Sequence, residues 1–272
     1  MIKFTLLTCV YIKENPIFLS QCINSILNQT TLPDEWVIVK DGPLTKDLDD
    51  IIDNLRFPNE LKIVALPENV TLGPARAAGV KAAKHEWIAI MDTDDICCPA
   101  RFEKQIGMIE HNPELGLLGG QINEFVDTPD VTVATRTVPT SHKDILRFVK
   151  KRNPFNHMTV MFRRDLVLRA GNYDYFPWFE DYDLWARMIK NGTVCANHPD
   201  VLVNARVGSS MFGRRRGKTY ISSEWRMQRT LKKYNLINWF EFLRNTALRL
   251  PVRLLPEKSL ARFYSRFVRA NN

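Results

Sequence analysis

A chain of 272 residues, 45% hydrophobic and 25% charged, can bury a sizeable core and is globular in composition, neither disordered nor fibrous. Its five cysteines, Cys9, Cys22, Cys97, Cys98 and Cys195, contain no CxxC pair, which argues for reduced thiols and against a disulfide framework or a zinc site. The net charge of +8 is uneven: from Ala205 onward 16 Lys and Arg face only Glu224, Glu241 and Glu257, so a slightly acidic body carries a basic tail suited to a polyanion or an anionic membrane surface.

The predicted elements alternate. Phe4 to Val10 reads as a strand, and Pro16 to Asn28 as a helix with Phe18, Leu19, Cys22, Ile23, Ile26 and Leu27 on one face. Trp36 to Lys40 is a short strand ending in Asp41-Gly42. Asp47 to Leu55 is a helix, Lys62 to Leu66 a third strand, and Leu72 to Ala83 a helix of small residues suited to close packing. Trp87 to Met91 is the fourth strand. This order implies a mostly parallel α/β sheet covered on both faces, with ligands outside the carboxyl ends of its strands. Asp41 and Asp92 both fall at such ends. Neither GxGxxG nor GxxxxGK[ST] is present, which weakens a dinucleotide or P-loop reading. No apolar run approaches the ~18 residues that span a bilayer. No small-residue cleavage site follows the apolar run Phe4 to Ile12, so no signal peptide is expected.

The fourth strand ends in Asp92-Thr93-Asp94-Asp95. Like charges packed this closely raise one another's pKa unless a cation neutralises them. Hard oxygen ligands at an open strand end suit Mg²⁺ or Mn²⁺, with phosphate completing the shell. The competing reading is an Asp-rich turn into the helix that begins near Pro99.

Several motifs in order, from Phe4 to about Gly208, resemble the family 2 glycosyltransferases of GT-A fold. They are Val10-Tyr11, Ser25-Ile26-Leu27-Asn28-Gln29-Thr30, Val39-Lys40-Asp41-Gly42, Asn69 to Gly79, Met91-Asp92-Thr93-Asp94-Asp95, Pro99-Ala100-Arg101-Phe102, and Phe179-Glu180-Asp181-Tyr182-Asp183-Leu184-Trp185. The resemblance implies a nucleotide site at Val10, Tyr11, Asp41, Arg76 and Asp92, with Asp41 accepting from uracil N3–H. It implies an Mn²⁺ or Mg²⁺ cofactor held by Asp92 and Asp94, with Asp95 as the alternative ligand. Asp181 matches the general base, with Glu180 beside it; a helix-start acidic turn is the plainer reading of that pair. His157 and Trp178 are candidate acceptor contacts, although a lone His or an aromatic cluster is more often core. The histidine that many members carry late in the domain has no counterpart in Asn204 to Ser210, and the QxxRW of processive synthases is absent.

The expected division is a catalytic domain over 1–210 and a basic helical extension over 211–272. Arg214, Arg215 and Arg216 form a candidate diphosphate clamp. Trp239, Phe242, Leu243 and Leu250, and then Leu260, Phe263, Tyr264 and Phe267, supply apolar faces beside arginines, suited either to the membrane interface or to a hairpin packed on the core. The tail resembles bacterial O-antigen, capsule and amylovoran-type transferases. That implies inverting transfer of one hexose, glucose or galactose, from a UDP-sugar to a polyprenyl-diphosphate-linked N-acetylhexosamine. The enzyme would work at the cytoplasmic face of the membrane. A soluble or protein acceptor is the alternative. A nucleic-acid-binding role for the basic tail leaves the acidic strand tip without a purpose.

Overall fold

The computed structural model describes residues 2–208 and 217–250. The chain runs β1 (Phe4–Val10), α1 (Pro16–Leu27), β2 (Glu35–Lys40), α2 (Lys46–Asp53), β3 (Glu60–Ala65), α3 (Leu72–Ala82), β4 (Trp87–Ile90), β5 (Ile96–Cys97) and α4 (Arg101–His111). It continues through β6 (Leu115–Phe125), β7 (Thr132–Arg136), α5 (His142–Phe148), a 3₁₀ turn (His157–Thr159), β8 (Met161–Arg163), α6 (Arg164–Arg169), α7 (Glu180–Lys190), β9 (Val194–Arg206), α8 (Lys218–Lys233) and α9 (Trp239–Arg249). All four strands and three helices expected in the first half are present, with ends shifted by up to two residues.

One sheet carries every strand, in the order β3-β2-β1-β4-β8-β6-β9-β5, with β7 on β6. Strands β3, β2, β1 and β4 are parallel; β8 turns the direction between β4 and β6, and β9 again runs parallel to β6. The sheet is thus mixed but mostly parallel, and helices cover both faces. The alternation of strand side chains makes this visible. Phe4, Leu6, Trp36, Ile38, Trp87 and Ala89 enter a core with α1, α2 and α4. Leu7, Val37, Val39, Ile88 and Ile90 enter a second core with α3, α7 and α8. Strands buried on both faces read as continuous apolar runs, which is why they stood out in the sequence.

Local signals set the helix starts. Asn15 caps α1 by accepting from Ile17 N–H, with Pro16 following it. Asn238 and Glu241 form a reciprocal capping box on α9. Close packing at Gly73 draws the N-terminus of α3 against the loop before α7, because a Cβ there would meet Asp174 O at 2.4 Å.

The start of the C-terminal extension is packed, not detached. Met227 and Leu231 of α8, and Ile237 after it, are buried in the second core. Arg249 Nε lies 2.7 Å from the fully buried Glu224 carboxylate, and Asn245 Nδ2 donates to Lys150 O at 2.8 Å. Trp239, Phe240, Leu243 and Leu248 of α9 face outward, 62–73% exposed. The segment with Leu260, Phe263, Tyr264 and Phe267, and the Arg214 to Arg216 cluster, lie outside the described residues. Among the described residues no helix is long and apolar enough to cross a membrane.

Candidate active site

The carboxyl ends of β1, β2 and β4 converge, and the polar residues follow from them. Val10 is buried; its carbonyl accepts Asp41 N–H at 2.8 Å, which ties the ends of β1 and β2 together. Tyr11, next in the chain, is exposed. Asp41 is buried, and its carboxylate accepts from Val70 N–H at 2.7 Å and Asn69 Nδ2 at 2.9 Å. Burial pushes its pKa up, and the Val70 N–H pulls against that. Gly42 (φ +82°) brings the turn so close to Asn69 N that a Cβ would lie 2.7 Å away.

Arg76 is the centre of the charge arrangement. It leaves α3 almost fully buried, with Nη2 donating to Asp92 Oδ1 at 2.8 Å and Nη1 to Glu180 Oε1 at 3.2 Å. One guanidinium therefore joins the tip of β4 to the start of α7. Burial alone would raise the Asp92 pKa, yet Arg76, with His157 behind it, holds that carboxyl well below the usual range. Glu180 moves the other way: burial pushes its pKa up, and the Asp181 charge adds to this against Arg76.

The three acidic residues of the strand tip differ. Asp92 faces Arg76. Asp94 is half-buried at the turn, and its carbonyl accepts from Arg206 Nε at 3.1 Å. Asp95 is buried; its carboxylate accepts Arg206 N–H at 2.7 Å, while burial and the charges of Asp94 and Asp92 drive its pKa up. Asp95 thus faces the end of β9. No group of three or more His, Cys, Asp or Glu side chains among the described residues could hold a metal by itself.

Asp181 follows Glu180 in the first turn of α7. Its Oδ2 accepts from Asn153 Nδ2 at 2.6 Å, and its Oδ1 from Tyr182 N–H at 2.7 Å. Asp183, two residues further on, faces elsewhere: it is buried against Arg187 Nε (2.9 Å) and Tyr234 OH (3.2 Å). His157 is buried in an aromatic nest, with Nε2 3.1 Å from Tyr173 OH and Nδ1 3.8 Å from Asp92 Oδ1, so it backs Asp92 from inside the fold. Trp178 is exposed beside Tyr220, ring centroids 5.4 Å apart, and holds a positive φ of 65°. A bulky residue in that region is strained, and such strain concentrates at functional sites.

The sequence alone assigns no role to four residues that brace the site. Asn153 reaches Asp181 from a loop 28 residues earlier. Asn69 and Val70 fix Asp41. Arg206 braces the acidic turn while its guanidinium sits 3.9 Å and 4.5 Å from the ring centroids of Phe18 and Phe125. Only the last could have been suspected, as an arginine where a histidine was sought.

The model of the family described as glycosyl transferase family 2 matches residues 5–169. The chain belongs to this family. Among relatives of this glycosyltransferase, the amylovoran biosynthesis glycosyltransferase AmsE of Erwinia amylovora is 40% identical over 97% of this chain and 98% of its own. The UDP-Gal:α-D-GlcNAc-diphosphoundecaprenol β-1,3-galactosyltransferase of Escherichia coli is 34% identical over 98% of this chain and 97% of its own. The S. aureus TarS structure in complex with UDP-GlcNAc superposes with a TM-score of 0.66 at 17% identity, over 97% of this chain and 73% of that one. That likeness shows the GT-A fold.

Proposed function

We propose that this glycosyltransferase moves one hexose, glucose or galactose, from a UDP-sugar to an N-acetylhexosamine linked through diphosphate to a polyprenyl lipid, in bacterial surface-polysaccharide synthesis. The observation that carries the proposal is the single guanidinium of Arg76, which joins the Asp92 strand tip to Glu180, the neighbour of Asp181, at the start of α7. The Escherichia coli relative, by its name, uses such a donor and such an acceptor.

In this reading Asp41 accepts from the uracil, held by Val70 and Asn69, with Val10 and Tyr11 at the same end of β1. Asp92 addresses the ribose side. Asp94 is the metal ligand, and Asp95 shapes the turn. The donor set fits Mn²⁺ or Mg²⁺, which take one or two carboxylates together with phosphate oxygens and water. Such an ion, when bound, neutralises charge on the departing diphosphate. Asp181 takes the acceptor hydroxyl proton as that oxygen attacks the anomeric carbon from the face opposite the leaving group. A single displacement inverts the anomeric centre, so an α-linked donor yields a β-linked product. Trp178 offers an exposed ring for the acceptor sugar. Arg214, Arg215 and Arg216 remain the proposed diphosphate clamp.

The acceptor cannot leave the bilayer, so the enzyme must reach the cytoplasmic membrane surface. The outward Trp239, Phe240, Leu243 and Leu248 of α9 suit that surface. The proposed division remains a catalytic unit over 1–210 and an associating extension over 211–272, the latter anchored on the former. Thermal melting tests the donor site. UDP should raise the Tm in Mn²⁺ and much less in EDTA, by mass-action linkage; equal stabilisation in both removes the metal role of Asp94.

A further inference from the structure

The segment from Val149 to Asn153, between α5 and the 3₁₀ turn, is gripped at four successive points. Tyr182 of α7 donates its hydroxyl to Val149 O. Lys150 pairs with Glu241 of α9 at 3.3 Å, and its carbonyl accepts from Asn245 Nδ2 at 2.8 Å. Arg249 Nη1 donates to Lys151 O. At the end of the segment Asn153 donates Nδ2 to Asp181 Oδ2 at 2.6 Å, while its own Oδ1 accepts Phe155 N–H at 3.2 Å. The two bonds agree on the amide orientation, because the carboxylate can only accept and the Phe155 N–H can only donate. Asp181 Oδ1 is taken by Tyr182 N–H. Both carboxylate oxygens are therefore held, one by its own helix and one by Asn153, two residues beyond Lys151; α9 holds the Lys150 and Lys151 carbonyls.

We infer that Asn153 is a positioning residue for Asp181, and that α9 is part of the same device because it holds the 150–151 backbone that leads into Asn153. The inference rests on the reading of Asp181 as the base. A carboxylate that must meet an acceptor hydroxyl at hydrogen-bond length gains from a fixed rotamer, since misplacement by about 1 Å costs on the order of 10²-fold. The two functions of α9 use opposite faces. Glu241, Asn245 and Arg249 grip the loop; Phe240 and Leu243 point outward. The charged and titratable groups around Asp181 are Glu180, Tyr173 and Tyr182, with Arg76 beyond Glu180.

The test uses full-length protein and compares Asn153→Ala, Asn153→Asp, Asn245→Ala and Asp181→Asn. Transfer is measured from UDP-galactose and UDP-glucose to a synthetic GlcNAc-diphosphate lipid, with UDP affinity and Tm as folding controls. Asn153→Ala should lower kcat about tenfold or more at unchanged donor KM and UDP affinity. Asn153→Asp places a second carboxylate against Asp181 and should move the acidic limb of the pH profile upward by about one unit. Asn245→Ala should lower kcat severalfold at temperatures well below its Tm. If both Asn153 variants keep wild-type kcat and pH profile while Asp181→Asn is inactive, the positioning role is wrong and the base reading stands. If Asn245→Ala lowers Tm but leaves kcat unchanged, α9 is merely packed. An active Asp181→Asn overturns the base reading and this inference with it.

Discussion

Arg76 governs the balance of charge at the strand tips. Its guanidinium is shared between Asp92 and Glu180, so each carboxylate depends on a cation that the other also uses. Asp92→Asn should cost about 2 kcal/mol at pH 7, below the ~3–5 kcal/mol of a fully buried pair, because the Asp92 side chain keeps 29% exposure. The folded pKa of Asp92 is depressed, so its contribution is fully present above the ordinary value of 3.8 and is lost as pH falls through the folded value. The stability gap measured by urea denaturation should therefore hold from pH 7 to about pH 4 and close only below that. No gap at neutral pH contradicts the assignment. Asp92 and Asp94 stand out in the sequence because carboxylates after an apolar strand are locally conspicuous, whereas Asp181 enters as candidate base through the resemblance of its motif. Asn153 does not stand out: it acts through a partner 28 residues along the chain, and nothing beside it in the sequence marks that contact.

Helix α9 has one packed face and one exposed apolar face. Its inward face holds the 150–151 backbone and places Arg249 against buried Glu224; its outward face exposes Trp239, Phe240, Leu243 and Leu248. Substituting outward residues should leave folding intact, since exposed positions usually change stability by no more than about 0.5 kcal/mol. Phe240→Glu with Leu243→Glu should keep the Tm and weaken sedimentation with anionic liposomes. Truncation before α9 is the contrasting case. It removes Arg249 from Glu224 and should lower stability by about 3 kcal/mol. A doubly substituted protein that still binds liposomes as wild type places the anchor elsewhere. From sequence alone the packed hairpin and the membrane helix were rival readings, because 3.6-residue periodicity marks an apolar face without saying what covers it. The structure gives α9 a packed face, and its apolar outward face is what makes the membrane reading available beside it.

The whole molecule separates scaffold from chemistry in the manner of open α/β sheets, with the polar residues outside the carboxyl ends of β1, β2 and β4. The first half of this plan was legible because strands buried on both faces leave long apolar runs between amphipathic helices. The second half was not. Strand β8 is three residues long, and β6 and β9 pair across most of their length only through contacts distant in the chain. No local period reveals that order. The direct test of the central claim is a transfer assay that resolves the product. Wild-type protein with Mn²⁺ is incubated with UDP-galactose or UDP-glucose and a GlcNAc-diphosphate lipid, beside Asp181→Asn, and the new linkage is read from its anomeric proton coupling. The account predicts addition of one hexose in β-linkage by the wild type, with Asp181→Asn slower by about 10²-fold or more at similar UDP affinity. An α-linked product, or an Asp181→Asn protein within a few-fold of wild type, contradicts it.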